Sequence, residues 1–202
     1  MTPGSHSPSR GQSHIVGVTL LLGLTVIGLT ALTAGIGAVV QENAATADAN
    51  RVAADLAATL EPVETTGRHA GSTTVTAGRL RTVERDLRVL DESGVVRRVS
   101  VGGLVFESGD ERVAYVADAV VRGSGDGAWL HEPPPITASR EDGVLVVSAA
   151  RLNASDVAVD GEGGTSVGLE TRVSHERRAL GNGTYRVAVE TAAPAALERW
   201  FR

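Results

Sequence analysis

A serine between two glycines, Gly164-Thr165-Ser166-Val167-Gly168, is the chain's nearest approach to a catalytic motif. The G-x-S-x-G pattern activates a serine only where a strand turns sharply into a helix and lifts the hydroxyl above a parallel sheet. Here Gly161 to Gly164 precede it and a strand-like alternation follows, so a glycine-rich hairpin loop is the expected setting and no catalytic role is assigned. The histidines are His6, His14, His69, His131 and His175, and no two lie three or four residues apart on a helix. No metal centre is expected from that spacing. The acidic pairs Asp110-Glu111 and Glu141-Asp142 sit at turn signals, and no stretch has the spaced oxygens of a calcium loop. Asn153-Ala154-Ser155 and Asn182-Gly183-Thr184 are N-glycosylation acceptors by sequence. Asn182-Gly183 also reads as a hairpin turn, since that dipeptide accepts positive φ.

Composition removes whole classes of chemistry. The chain has no cysteine, which excludes disulfides, thiol catalysis and cysteine-ligated metals. All nineteen basic residues are arginine, so lysine-dependent phosphate loops and Schiff bases are excluded too. Aromatic residues make up 3%, too few for a base-stacking platform, and the net charge of −5 argues against a polyanion partner. No nucleic acid and no cofactor are expected.

The elements that could position any function are unevenly distributed. No residue between Gly11 and Gln41 carries a formal charge, and Ile15 to Val40 is a run of mostly aliphatic side chains. As a helix this run spans roughly 39 Å, enough to cross a hydrocarbon core of about 30 Å with some tilt. A cleaved secretory signal has a much shorter apolar region, so a signal anchor fits better. Gly28, Ala31, Gly35 and Ala38 fall on one face of this helix, and such small residues let helix backbones approach closely in lipid.

Ahead of the apolar run stands an uncharged Ser/Pro/Gly-rich leader, Met1 to Ser9, that ends in Arg10-Gly11-Gln12-Ser13. A basic residue, a small residue and Gln placed directly before an N-terminal apolar helix resemble the class III signal of archaeal type IV pilin-like proteins. The resemblance covers Arg10 to Val40. It implies that a prepilin-type peptidase cuts between Gly11 and Gln12, leaving the helix on the mature chain to pack against sibling subunits. Val16 stands where many bacterial pilins carry a glutamate at the fifth mature position. The other reading is an uncleaved single-pass anchor, with Arg10 only setting orientation.

Beyond the membrane run, Ala45, Ala49, Val52, Leu56 and Leu60 keep a helical apolar line, while Asp48, Arg51 and Asp55 read as an exposed ion-pair ladder on the other face. Pro62 is expected to end the helix. After it, period-two alternation runs through Val83–Val89, Val95–Val101, Leu104–Phe106, Val113–Ala117, Val144–Ser148, Val167–Val173 and Tyr185–Glu190, with Gly-containing turns between. This predicts antiparallel β structure with one wet face. The alternating arginines are what a solvated strand presents, and no basic binding stripe is read from them. Gly123 to Pro135 is expected as a long loop. Pro194 is expected to open a short helix whose Leu197, Trp200 and Phe201 dock on the sheet.

The expected architecture is therefore α+β. A leader occupies residues 1–11, a helix residues 12–61 (transmembrane about 15–40, amphipathic 41–60), and an antiparallel β-rich extracytoplasmic domain residues 62–202. Eighteen arginines against twenty-four acids beyond Arg10, with no lysine, resemble the composition of haloarchaeal proteins, whose acidic surfaces stay hydrated when salt screens charge. The expected function is structural: a pilin-like or minor pilin-like subunit in the cell membrane, its C-terminal domain outside, with assembly into a surface filament implied by the resemblance. The alternative is a permanently anchored ectodomain that binds a partner or ligand without joining a filament.

Overall fold

The computed structural model describes residues 10–59, 65–139, 141–152, 157–174 and 179–201, without the side chains of 10–15 and 162. The chain divides into two compact units, Met1–Asn43 and Ala44–Arg202. In the first, helix α1 (Arg10–Thr59) carries the apolar run, and every side chain from Val16 to Ala44 is exposed. From Val16 onward this helix is long and apolar enough to cross a membrane. Its threonines suit that solvent: the Thr25, Thr30 and Thr33 hydroxyls donate to the carbonyls of Leu21, Val26 and Leu29 at 2.7, 2.8 and 2.9 Å. A hydroxyl satisfied by its own helix costs little in lipid. The helix starts at Arg10, two residues before the expected Gln12, a difference within ordinary fraying of helix ends. Leu60 and Pro62 lie outside the described residues.

In the second unit, the last turns of α1 lie on a seven-stranded antiparallel sheet. Its strands are β1 (Gly67–Val83), β4 (Gly103–Ser108), β5 (Glu111–Val116), β6 (Ala119–Arg122), β7 (Trp129–Glu132), β10 (Arg151–Leu152) and β11 (Ala158–Val173), in the order β10-β11-β1-β4-β5-β6-β7. Ala49, Val52, Ala53 and Leu56 of the helix pack with Val75, Leu80, Leu104, Phe106, Val113, Tyr115, Val120, Val167 and Leu169 of the strands. A second sheet, with β2 (Asp86–Asp91) between β12 (Arg186–Val189) and β3 (Gly94–Ser100), supplies Leu87 and Val89 to another core with Val101, Val116 and Ala117. Strands β8 (Ile136–Ser139) and β9 (Val144–Val147) form a separate hairpin. The short helix α2 (Pro194–Trp200) closes a third cluster, Val121, Ala128, Ala193 and Ala196. The architecture is α+β, a long N-terminal helix followed by an antiparallel β domain.

Several local expectations are corrected. The seven-stranded sheet does not keep one wet face throughout: β4 and β6 are buried at successive residues, with Leu104, Phe106 and Val120 in the core under the helix and Val121 in the cluster that α2 closes. The run Val83–Val89 breaks at Glu84-Arg85, where the chain leaves one sheet for the other. Val95 is exposed while Val96 packs inward, since a register shift beside Val89/Leu90 changes the face each residue presents. The segment Gly123–Pro135 holds a 3-10 turn at Gly125–Gly127 and β7, so it is only partly loop. Asn182-Gly183 is a bend that closes no hairpin, because β12 pairs with β2 and Asn182 lacks the positive φ a type I′ turn needs. At α2, Leu197 is buried but Trp200 and Phe201 are exposed, so only part of the expected face docks.

Strand β1 is kinked where the helix crosses it. Val75 pairs with Thr165 and Ala77 with Glu162, so the single Thr76 faces the two glycines Gly163 and Gly164. Just beyond, Gly78 has φ +129, and a Cβ there would lie 2.6 Å from the Glu107 carbonyl oxygen. Gly94, at φ +127, faces open space. Gly94→Ala should therefore cost about 1–2 kcal/mol from backbone strain alone, and Gly78→Ala about 4 kcal/mol because a backbone oxygen blocks it as well. Denaturant unfolding of the two variants in detergent micelles measures the difference.

Candidate functional site

The residues singled out by sequence fall in distinct places. Arg10, Gly11 and Gln12 form the first turn of α1. Gly28, Ala31, Gly35 and Ala38 lie within an arc of about 80°, all exposed, with open space beside Gly28 and Gly35. Asn153 lies outside the described residues, and Asn182 is exposed. Ser166 sits inside β11, paired with Thr74 and exposed, rather than in a hairpin loop or at a strand-to-helix turn. The His69 ring nitrogen lies 3.1 Å from the Thr65 carbonyl, and His131 meets the Trp129 ring edge-on at 5.8 Å. Among the described residues no three His, Cys, Asp or Glu gather as metal ligands.

The helix-to-sheet seam holds polar chemistry that the spacing hid. Asp48, expected on an exposed ladder, is 2% exposed. Its Oδ2 accepts the backbone N–H groups of Thr76 and Ala77 at 3.0 and 2.9 Å, and its Oδ1 accepts from Arg51 at 2.9 Å. Consecutive amides of a regular strand point to opposite edges; the kink in β1 turns both toward one carboxylate. Arg51 also donates to the Thr76 hydroxyl at 2.7 Å, and Asp55 accepts from the Thr73 hydroxyl at 3.1 Å. Further along, Thr46 donates to Glu111 at 3.0 Å, and Arg122 donates to Glu111 at 3.0 Å and to Asn50. The Arg122 guanidinium lies 5.5 Å from the centre of the Trp129 ring. An acid one position before a core alanine is the sequence signal for this seam, because only a boundary position lets a carboxylate reach under the helix.

A second buried polar group lies between the sheets. Ala117 and Asp118 join β5 to β6 with φ of 49° and 62°, the left-handed pair of a type I′ turn without its usual glycine. Both are buried. The Tyr115 hydroxyl donates to Asp118 Oδ1 at 2.5 Å, and the Ala150 N–H donates to Oδ2 at 2.9 Å. Burial raises the Asp118 carboxyl above the ordinary carboxylate value, against those two hydrogen bonds, which favour the ionised form. Burial first, then the Asp118 charge, pushes the Tyr115 phenol far above its usual range and keeps it a donor.

Residues 10–202 match DUF7289, described as a family of unknown function. The chain belongs to this family. No curated protein and no solved structure matches it. The family match takes in the apolar helix and the β domain together and leaves out Met1–Ser9. In this DUF7289 member the polar constellations serve to hold elements together. Asp48 and Asp118 each accept backbone amides from a segment distant in sequence.

Removing an acceptor from buried amides should be costly. Asp48→Ala is expected to destabilise the β domain by about 3 kcal/mol, and Asp48→Asn, which keeps one acceptor oxygen, by about half as much. Denaturant unfolding followed by tryptophan fluorescence reads both. Asp118 gives a pH signature. Its folded-state pKa lies above the unfolded 3.8, so its stabilising contribution is full below that value and is lost as pH rises through the folded pKa. The thermal midpoint of Asp118→Asn relative to wild type should accordingly climb as pH rises from about 4.

Proposed function

We propose that the chain is a type IV pilin-like or minor pilin-like structural subunit, held in the cell membrane by α1 and displaying its β domain outside. The observation that carries this reading is the helix surface from Val16 to Val40, apolar and wholly exposed, directly behind Arg10-Gly11-Gln12-Ser13. An apolar helix with nothing covering it needs lipid or sibling helices around it. The stripe Gly28, Ala31, Gly35 and Ala38 offers a face on which sibling helices pack closely. A prepilin-type peptidase acting at Gly11–Gln12 releases the leader and leaves that face at the mature N-terminus. Arg10 on the cytoplasmic side agrees with the positive-inside bias. The exposed Asn182 sequon and the acid excess accord with an outward-facing domain in a salty medium. The task is assembly, and no reaction is assigned.

One observation favours the permanently anchored ectodomain: Arg10 and Gly11 are already helical, which closes the scissile bond into a helical turn. The N-terminal residue of the protein from native membranes separates the two readings. With cleavage, intact mass and peptide sequencing give a chain starting at Gln12, and Gly11→Val, with a β-branched residue at the bond, retains the leader. A wild-type chain that keeps residues ahead of Arg10, with Gly11→Val indistinguishable from it, overturns the pilin-like reading.

A further inference from the structure

Three arginines far apart in sequence meet on one line across the sheet. Arg68 of β1 pairs with Arg172 of β11, and Arg172 pairs with Arg151 of β10. Directly opposite residues of antiparallel strands project to the same face with Cβ atoms about 5 Å apart, so three arginine side chains leave the sheet side by side. All three are exposed, on the face away from buried Val167, Leu169 and Thr171. Like charges placed directly opposite destabilise a sheet. Several other strand arginines have acids beside them: Arg79 has Asp160 at 3.3 Å, Arg112 has Glu107 at 3.3 Å, Arg88 has Glu190 at 2.9 Å, and Arg98 and Arg81 have Asp86 and Glu107 at 3.6 and 3.9 Å. In the row, Arg68 pairs with Glu170 at 3.8 Å. Among the described residues, Arg151 and Arg172 have no acid within ion-pair reach. Among the described residues, Glu170 thus offsets Arg68, while Arg151 and Arg172 add positive charge to a domain with an excess of acid.

We propose that this row binds a linear anionic polysaccharide whose carboxylates or sulfates cross the strands. Guanidinium forks suit such oxyanions in shape as well as charge. A straight line of donors matches a repeating anion, whereas a single phosphate calls for donors converging on one point. One pyranose advances a polysaccharide by about the same step as one strand spacing of ~4.8 Å. Next to the row, the same face carries Ala70 and Glu170, then Ser72 and Gly168, then Thr74 and Ser166. Apart from Glu170 these are small, and the Ser72, Thr74 and Ser166 hydroxyls can hydrogen-bond to sugar. None is aromatic, which disfavours stacked bases, and none is a large apolar anchor for lipid. The site does not depend on leader cleavage or filament entry.

The test uses the full chain in detergent micelles and fluorescein-labelled dextran sulfate, read by anisotropy at fixed salt, with neutral dextran, inorganic sulfate and phosphatidylglycerol vesicles as further arms. Wild type should bind dextran sulfate and not neutral dextran. Arg151→Gln with Arg172→Gln should weaken binding roughly 100-fold, about tenfold for each guanidinium removed from the row. Arg172→Lys should fall between, and Arg79→Gln, off the row, should bind as wild type. The double variant should also unfold at the same temperature as wild type or higher, since a like-charge opposition is relieved. The proposal is overturned by equal binding of the double variant, or by inorganic sulfate competing as well as the polymer at matched charge. Vesicle capture that the double variant loses, without dextran sulfate binding, overturns it too, as does weaker binding together with a lower unfolding temperature.

Discussion

The carboxylate of Asp48 is the contact on which the arrangement of the β domain turns. It lies under the last turns of α1 and takes the two amides that the kink in β1 releases from regular pairing. A kinked strand leaves polar groups that cannot stay buried without partners. A helix laid across that kink could not bury its apolar stripe over bare amides. One side chain resolves both, so Ala49, Val52, Ala53 and Leu56 can reach the sheet at no exposure. Arg51 then balances the charge from the rim, where it stays in contact with water.

The same logic explains why β4, β5 and β6 can be deeply buried. Three sequential hairpin-linked strands carry Leu104, Phe106, Val113, Tyr115 and Val120 toward the helix and Val116 and Ala117 toward the second sheet. Covering both faces demands a tight, dry turn between β5 and β6. Ala117 and Asp118 make it in a conformation usually left to Asn-Gly, and Tyr115 and Ala150 hold it closed. The backbone strain is tolerated because the surrounding packing over-determines the turn.

The large features were legible in the sequence because they rest on local patterns. The apolar run, the helical line Ala45-Ala49-Val52-Leu56 and most strands show in periodicity alone. What stayed hidden depends on which strands become neighbours. Asp48 reads as surface charge until β1 is seen to kink beside it. The two-sided burial of β4 to β6 looks like ordinary alternation interrupted by valines. Arg68, Arg151 and Arg172 each look like a solvated strand position, and net charge points away from anionic partners. Only the pairing of β1, β11 and β10 puts them in one line. Asn182-Gly183 failed in the opposite direction, a strong local turn signal overruled by the partner its strand adopts.

The strand order also bears on how the domain is made. β4 to β7 pair with sequence neighbours, so this meander has low contact order and can form as soon as it emerges. β1 is different: it lies between β4 and β11, and its long partner is some eighty residues further on. Until β11 is synthesised, most of β1 offers an open edge to any other chain. The sheet can therefore close only after nearly the whole polypeptide is available. A nascent chain held at the membrane by α1 has reason to be shielded until its last strands arrive.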